Sequence, residues 1–102
     1  LAIADITIFP MGTESTSVSR YIAEIEKVLK KERNRVKIQL TPMSTLIEGD
    51  IHDLFEIIEK LHEVPFKHGI MRVETNIRID DRRDKPLTME GKLASVAEKM
   101  GK

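Results

Sequence analysis

The chain contains no cysteine, which excludes a disulfide framework, a thiolate metal site and thiol nucleophilic catalysis together. That absence points to an intracellular setting. No apolar run approaches the roughly 20 residues that span a bilayer, and the start Leu1-Ala2-Ile3-Ala4-Asp5 meets an acid too soon for a signal peptide. The expectation is a soluble, cytoplasmic protein with no membrane partner. Charge of one sign is also lacking: seventeen Lys plus Arg balance seventeen Asp plus Glu. No global field therefore recruits nucleic acid. Aromatic residues are only 4% of the chain, so its core must come from Ile, Leu and Val. With 102 residues, residues 1–102 are expected to form one domain, because chains divide into several cores only beyond roughly 250 residues.

What is present is periodic. Ala4, Ile6 and Ile8 alternate with Asp5 and Thr7, the period of a half-buried strand, up to Pro10-Met11-Gly12. Ser17 is placed to cap a helix in which Val18, Tyr21, Ile22, Ile25, Val28 and Leu29 recur at helical spacing, ending near Arg33-Asn34. Val36, Ile38 and Leu40 alternate in a second strand closed by Pro42, and Ser44 to Glu48 form a third, paired as a hairpin. Asp50 caps a second helix with Leu54, Phe55, Ile58 and Leu61 on its buried face, and Pro65 kinks or restarts it before Gly69. Arg72 to Asp80 is the longest alternating run. Thr88 caps a terminal helix with Leu93, Val96, Ala97 and Met100 as its stripe.

Strand, helix, strand, strand, helix, strand is the order of two split βαβ units. Right-handed crossovers then place both helices on one face of a four-stranded antiparallel sheet. The predicted class is α+β, a ferredoxin-like sandwich with an extra C-terminal helix. The opposite sheet face is left open, and alternation assigns it Asp5, Thr7, Phe9, Lys37, Gln39, Thr41, Ser44, Leu46, Glu48, Glu74, Asn76 and Arg78.

Three places could carry chemistry. The hydroxyl-rich loop Gly12 to Ser19 can bind an anion or a polar ligand, or simply cap its helix; it is not a P-loop, since no GKS or GKT follows the glycine. Glu48 is a carboxylate at a strand end on the open face, where Asn76 and Arg78 join it, although an exposed glutamate is ordinarily only a surface charge. An amide such as Asn76 offers a donor beside an acceptor, the geometry that suits a nitrogen heterocycle. Asp80 to Lys85 could hold an anion, but its own acids can satisfy its arginines. His52, His62 and His68 lack the spacing of zinc ligands, so no metal is expected, and His62 reads as a half-buried, hydrogen-bonded side chain.

Four segments then become informative as words: Pro10-Met11-Gly12-Thr13 with Ser15 to Ser19; Thr41 to Asp50; Ile77 to Lys85; and Thr88 to Lys92. In this order, over nearly the whole chain, they resemble a family of small ferredoxin-like proteins that bind thiamine or its hydroxymethylpyrimidine portion. Pro65 departs from that pattern, in which the helix continues. The resemblance implies a non-enzymatic binder without cofactor or catalytic residues, a homotetramer built as a dimer of dimers, and a role in thiamine supply or sensing. The positions it favours for ligand are Glu48, Thr45, Asn76 and the loop residues Thr16, Ser17 and Ser19. Phe9, Met11, Met43 and Leu46 would cover the ring, with Phe9 or Asp5 facing the thiamine cation. Two other readings share the fold: an acylphosphatase-like enzyme, invited by Arg20 and Asn76, and a purely structural or regulatory oligomer subunit.

Overall fold

The computed structural model describes residues 1–12 and 19–101, the Ser19 side chain excepted. Its elements are β1 (Ala2–Pro10), α1 (Ser19–Lys30), β2 (Lys37–Leu40), β3 (Thr45–Gly49), α2 (Ile51–Glu63), β4 (Val73–Asp81) and α3 (Met89–Met100), with a 3-10 turn at Pro65–His68. The strands lie in the order β2-β3-β1-β4, every neighbouring pair antiparallel. This is the expected ferredoxin-like α+β arrangement.

Local chemistry explains most boundaries. The β2–β3 hairpin is a four-residue turn in which the Thr41 N–H donates to the Ser44 carbonyl at 2.9 Å, with Pro42 at the position that its fixed φ favours. The Thr41 hydroxyl also accepts from the Ser44 amide at 3.0 Å. At Pro65 the chain restarts: α2 stops at Glu63, and Pro65 opens the 3-10 turn, where its missing N–H costs nothing. Gly69 then ends that turn at φ +85°, a left-handed conformation natural to glycine. The cap expected at Ser17 lies outside the described residues. Asp50 occupies the N-cap of α2 but makes no side-chain cap bond. α1 ends at Lys30, short of the expected Arg33-Asn34, because residues 31–35 fold into turns closed by Glu32 N–H to Leu29 O and Arg35 N–H to Glu32 O, both 2.9 Å.

The core lies between the sheet and α1 and α2. Ala2, Ala4 and Ile6 of β1 and Ile47 of β3 meet Ile25 and Leu29 of α1 and Leu54, Ile57, Ile58 and Leu61 of α2. Each fully buried Leu or Ile contributes roughly 1.5–3 kcal/mol. Phe55 departs from expectation. It is 54% exposed while Ile57 is buried, because the buried arc of α2 centres on Leu54, Ile57, Ile58 and Leu61 and leaves Phe55 on its flank. Gly49 is required by closeness: a Cβ there would stand 2.9 Å from Val36 Cγ1.

A charge network ties the end of α1 to α2. Arg35 reaches Glu32 at 3.2 Å, Asp53 at 2.5 Å and Glu56 at 3.4 Å, and Lys60 reaches Glu32 at 2.6 Å. Glu32 is buried at its centre. The Lys60 hydrogen bond, followed by the Lys60 charge and the Arg35 bond, outweighs desolvation and holds the Glu32 carboxyl below its usual value of 4.5. A group depressed in this way contributes stability above the unfolded value and loses it as pH falls through the lowered folded value. Glu32→Gln should therefore cost about 1–2 kcal/mol at pH 7. In urea melts across the acid range the gap between wild type and variant should close below pH 4.5; a gap independent of pH would remove the carboxylate from the account.

Candidate functional site

Cross-strand register sorts the open sheet face into rows. Gln39 faces Leu46, Leu46 faces Asp5, and Asp5 faces Arg78, one row running across all four strands. The neighbouring row is Lys37, Glu48, Ile3 and Asp80. On the other side of the first row Thr7 faces Asn76, and beyond it Phe9 faces Glu74.

The row of Lys37, Glu48, Ile3 and Asp80 is the seat of α3. Lys37 Nζ binds Glu90 Oε1 at 2.9 Å, Lys92 Nζ binds Asp80 Oδ2 at 2.6 Å, and Leu87 and Met89 pack on Ile3 and Leu46. Between them the Met89 N–H donates to Glu48 Oε1 at 3.2 Å. Glu48 is only 3% exposed, so it is a buried acceptor for the free amides at a helix start, where a carboxylate also meets the positive end of the helix dipole. Thr88 completes the cap, its hydroxyl accepting from the Gly91 N–H at 2.8 Å. The Lys37–Glu90 bond holds the Glu90 carboxyl below and the Lys37 ammonium above their usual values.

A groove of about 600 Å³ runs along the sheet beside the start of α3, with Gln39, Leu46, Asp5 and Arg78 on its floor and Met89, Lys92 and Leu93 among its lining. Asp5 is its most distinctive group. Arg78 Nη2 approaches Oδ2 at 3.3 Å, whereas Oδ1 is buried without a hydrogen-bond partner among the described residues. An unpartnered buried carboxylate oxygen is costly.

The structure brings some of the expected residues together and separates others. Leu46 lines the groove, Glu48 stands one row away beneath α3, and Asn76 lies on the same face at the exposed edge. Thr45 is on the opposite, helix-facing side, opposed to Ile6. Phe9 and Met11, at the end of β1, and Met43, in the β2–β3 turn, lie at one end of the sheet and are exposed. Thr16 and Ser17 lie outside the described residues, as does the Ser19 side chain. Arg78 was noted from the sequence beside Glu48 and Asn76, whereas Gln39 was assigned to the open face without a role and the α3 residues of the groove were not singled out. For Gln39 the signal was available, since alternation places it on the face of Leu46.

Two expectations of ordinary structure hold. His62 Nδ1 lies 2.6 Å from the Thr75 hydroxyl, and the Asp81–Asp84 turn is closed internally by Arg82–Asp84 at 2.5 Å and Arg83–Asp81 at 2.8 Å. No helix among the described residues is long and apolar enough to cross a membrane.

Comparison with known proteins gives a consistent result. A family profile described as thiamine-binding protein matches residues 4–97. The chain is 56% identical over 98 residues to the UPF0045 protein YqgV of Bacillus subtilis, covering 94% of each. The crystal structure of MJ1052 from Methanocaldococcus jannaschii aligns at a TM-score of 0.84 and 31% identity over 95% of this chain and 96% of that one. A Thermotoga maritima structure, assigned provisionally to thiamine biosynthesis or salvage, shares the fold at a TM-score of 0.75 and 17% identity over 93% of this chain and 97% of that one.

The anchoring of α3 is directly testable. Glu48→Ala leaves the Met89 amide buried without an acceptor and should cost about 1–3 kcal/mol, against about 1 kcal/mol for Thr88→Ala. Hydrogen exchange should accelerate through the first turn of α3 in both variants while β1 and β3 amides keep their protection. Unchanged exchange in Glu48→Ala would show that the carboxylate does not hold the helix.

Proposed function

This chain belongs to the thiamine-binding protein family, and from that premise we propose that it binds thiamine or the hydroxymethylpyrimidine moiety without catalysing a reaction. The match over residues 4–97 carries the reading. The open-face groove supports it, since about 600 Å³ falls in the range of small-ligand sites. An aminopyrimidine presents an amine donor beside ring acceptors. The Asp5 carboxylate accepts from the amine, the Gln39 amide meets a ring nitrogen, and Leu46, Met89 and Leu93 cover the ring. Glu48 acts from below by fixing Met89. Asn76 extends the polar edge of the same face. Phe9, Met11 and Met43 form the second part of the proposed surface, toward the far end of the sheet, and Thr45, which faces the helices, is left out of it.

The protein works in thiamine supply or sensing in the cytoplasm, and it does so as a homotetramer. The balanced net charge leaves self-association unopposed. The acylphosphatase reading loses its geometric basis, because Arg20 lies on α1 and donates to the Tyr21 hydroxyl at 3.0 Å, while Asn76 is on the opposite face of the sheet.

Calorimetry and thermal shift with thiamine and with hydroxymethylpyrimidine test the proposal, because a ligand of the native state raises its stability. Both compounds should bind. Asp5→Asn should weaken binding by about 1.5–3 kcal/mol, the range for hydrogen bonds to charged groups, and Glu48→Gln should weaken it by a smaller amount, through Met89. The fragment should lose as much as thiamine, since the contact is to the shared ring. Absence of binding by wild type to both compounds at millimolar concentration would overturn the function. Binding that both variants leave unchanged would move the site off this groove.

A further inference from the structure

β2 is an edge strand of the sheet, and the hairpin fixes which of its backbone groups are free. The Thr41 N–H points toward β3, where it meets the Ser44 carbonyl, and successive residues of a strand turn their backbone groups to opposite edges. Lys37 and Gln39 therefore bond to β3, whereas Ile38 and Leu40 each direct an N–H and a carbonyl outward. Those outward groups have no partner among the described residues. Val36 bounds the free stretch at one end, its own N–H being taken by the Glu32 carbonyl at 3.2 Å, and Pro42 bounds it at the other.

This free edge lies along the bottom of a slot of about 650 Å³ with two walls. Leu29 and Lys30 from the last turn of α1, and Arg33 just beyond it, line the helix side, and Met89 and Glu90 at the start of α3 line the other. A strand edge between two walls is the geometry in which an extended peptide adds to a sheet, backbone bonds giving affinity while alternate side chains read the walls. A free peptide strand fits between them, whereas the β2 edge of a second copy would carry walls of its own.

Charge says what kind of peptide. Lys30 and Arg33 are exposed and have no carboxylate partner among the described residues, while Lys37 keeps Glu90 at 2.9 Å. Because α1 ends where the turn into β2 begins, these cations stand at the start of β2, and Glu26, one helical turn earlier, lies toward the Leu40 end. Buried Leu29 and Leu40, the latter 47% exposed, give the helix side its apolar contact. We propose that the β2 edge is a binding site for the extended C-terminal end of an acidic peptide, added as a further strand between α1 and α3. Antiparallel addition, the more stable pairing per residue, sets the carboxylates at the peptide's C-terminal end beside Lys30 and Arg33 and the apolar residues before them against Leu29 and Leu40. The slot shares Gln39 and Met89 with the open-face groove but does not depend on which ligand that groove binds.

The probe is the labelled hexapeptide Thr-Val-Thr-Val-Asp-Glu with a free C-terminus, titrated against the full chain by fluorescence anisotropy. Its affinity should fall by about tenfold or more when Lys30→Glu and Arg33→Glu are combined, and again when Lys-Lys replaces its Asp-Glu end. The backbone part has its own test. Leu40→Pro removes one outward N–H and spares the β2–β3 ladder, since an edge strand accepts proline where its nitrogen faces away from the sheet. It should bind at least about tenfold more weakly than Leu40→Ala, which keeps that N–H. Hydrogen exchange on the unmodified chain needs no variant: the peptide should slow the Ile38 and Leu40 amides and leave those of α2 unchanged. No binding at millimolar peptide, equal binding by the charge-reversed and unmodified chains or by Leu40→Pro and Leu40→Ala, or unaltered exchange at Ile38 and Leu40 would each overturn the proposal. Protection of those two amides without peptide that vanishes on dilution would also overturn it, giving the edge to a second copy. Thiamine calorimetry on the same variants reads the open-face groove separately, so a failure here is distinct from a failure of the binding function.

Discussion

Everything distinctive about the open face depends on one buried carboxylate accepting one amide. Glu48 lies at the end of a strand, on the face that the two packed helices leave bare, and would be an ordinary surface charge if α3 did not cross it. The Met89 N–H, the Thr88 cap and the flanking Lys37–Glu90 and Lys92–Asp80 pairs fix the first turn of α3 against the sheet. The two ion pairs are exposed and individually weak. The buried bond is the one whose loss leaves a polar group without water or partner. Because the helix is seated only at its start, it walls a groove instead of covering the face.

Beyond that seat α3 leaves the body of the molecule. Leu93, Val96 and Met100 are 61%, 55% and 79% exposed, and the radius of gyration, 15.2 Å, exceeds the roughly 13 Å of a compact chain of this length. The apolar stripe that the spacing of these residues predicts is real, but nothing among the described residues buries it. Such a stripe beside an uncovered sheet face is the kind of apolar exposure that marks an interaction surface.

The fold was legible because its strands alternate cleanly and its helices carry unambiguous stripes, so the element order and the two faces of the sheet follow from periodicity. Two things resisted. Phe55 was assigned to the buried face of α2 because a large apolar residue beside Leu54 cannot be separated from it by spacing alone, whereas the actual arc depends on where the helix lies over the sheet. The depth of Glu48 resisted for a different reason: burial there is imposed by a helix forty residues further on, and no local pattern announces that contact. Thr45 illustrates the converse. It sits in the most family-like segment of the chain, yet the period of two turns it to the opposite face from Leu46 and Glu48, and resemblance of words carries no information about which face a residue occupies.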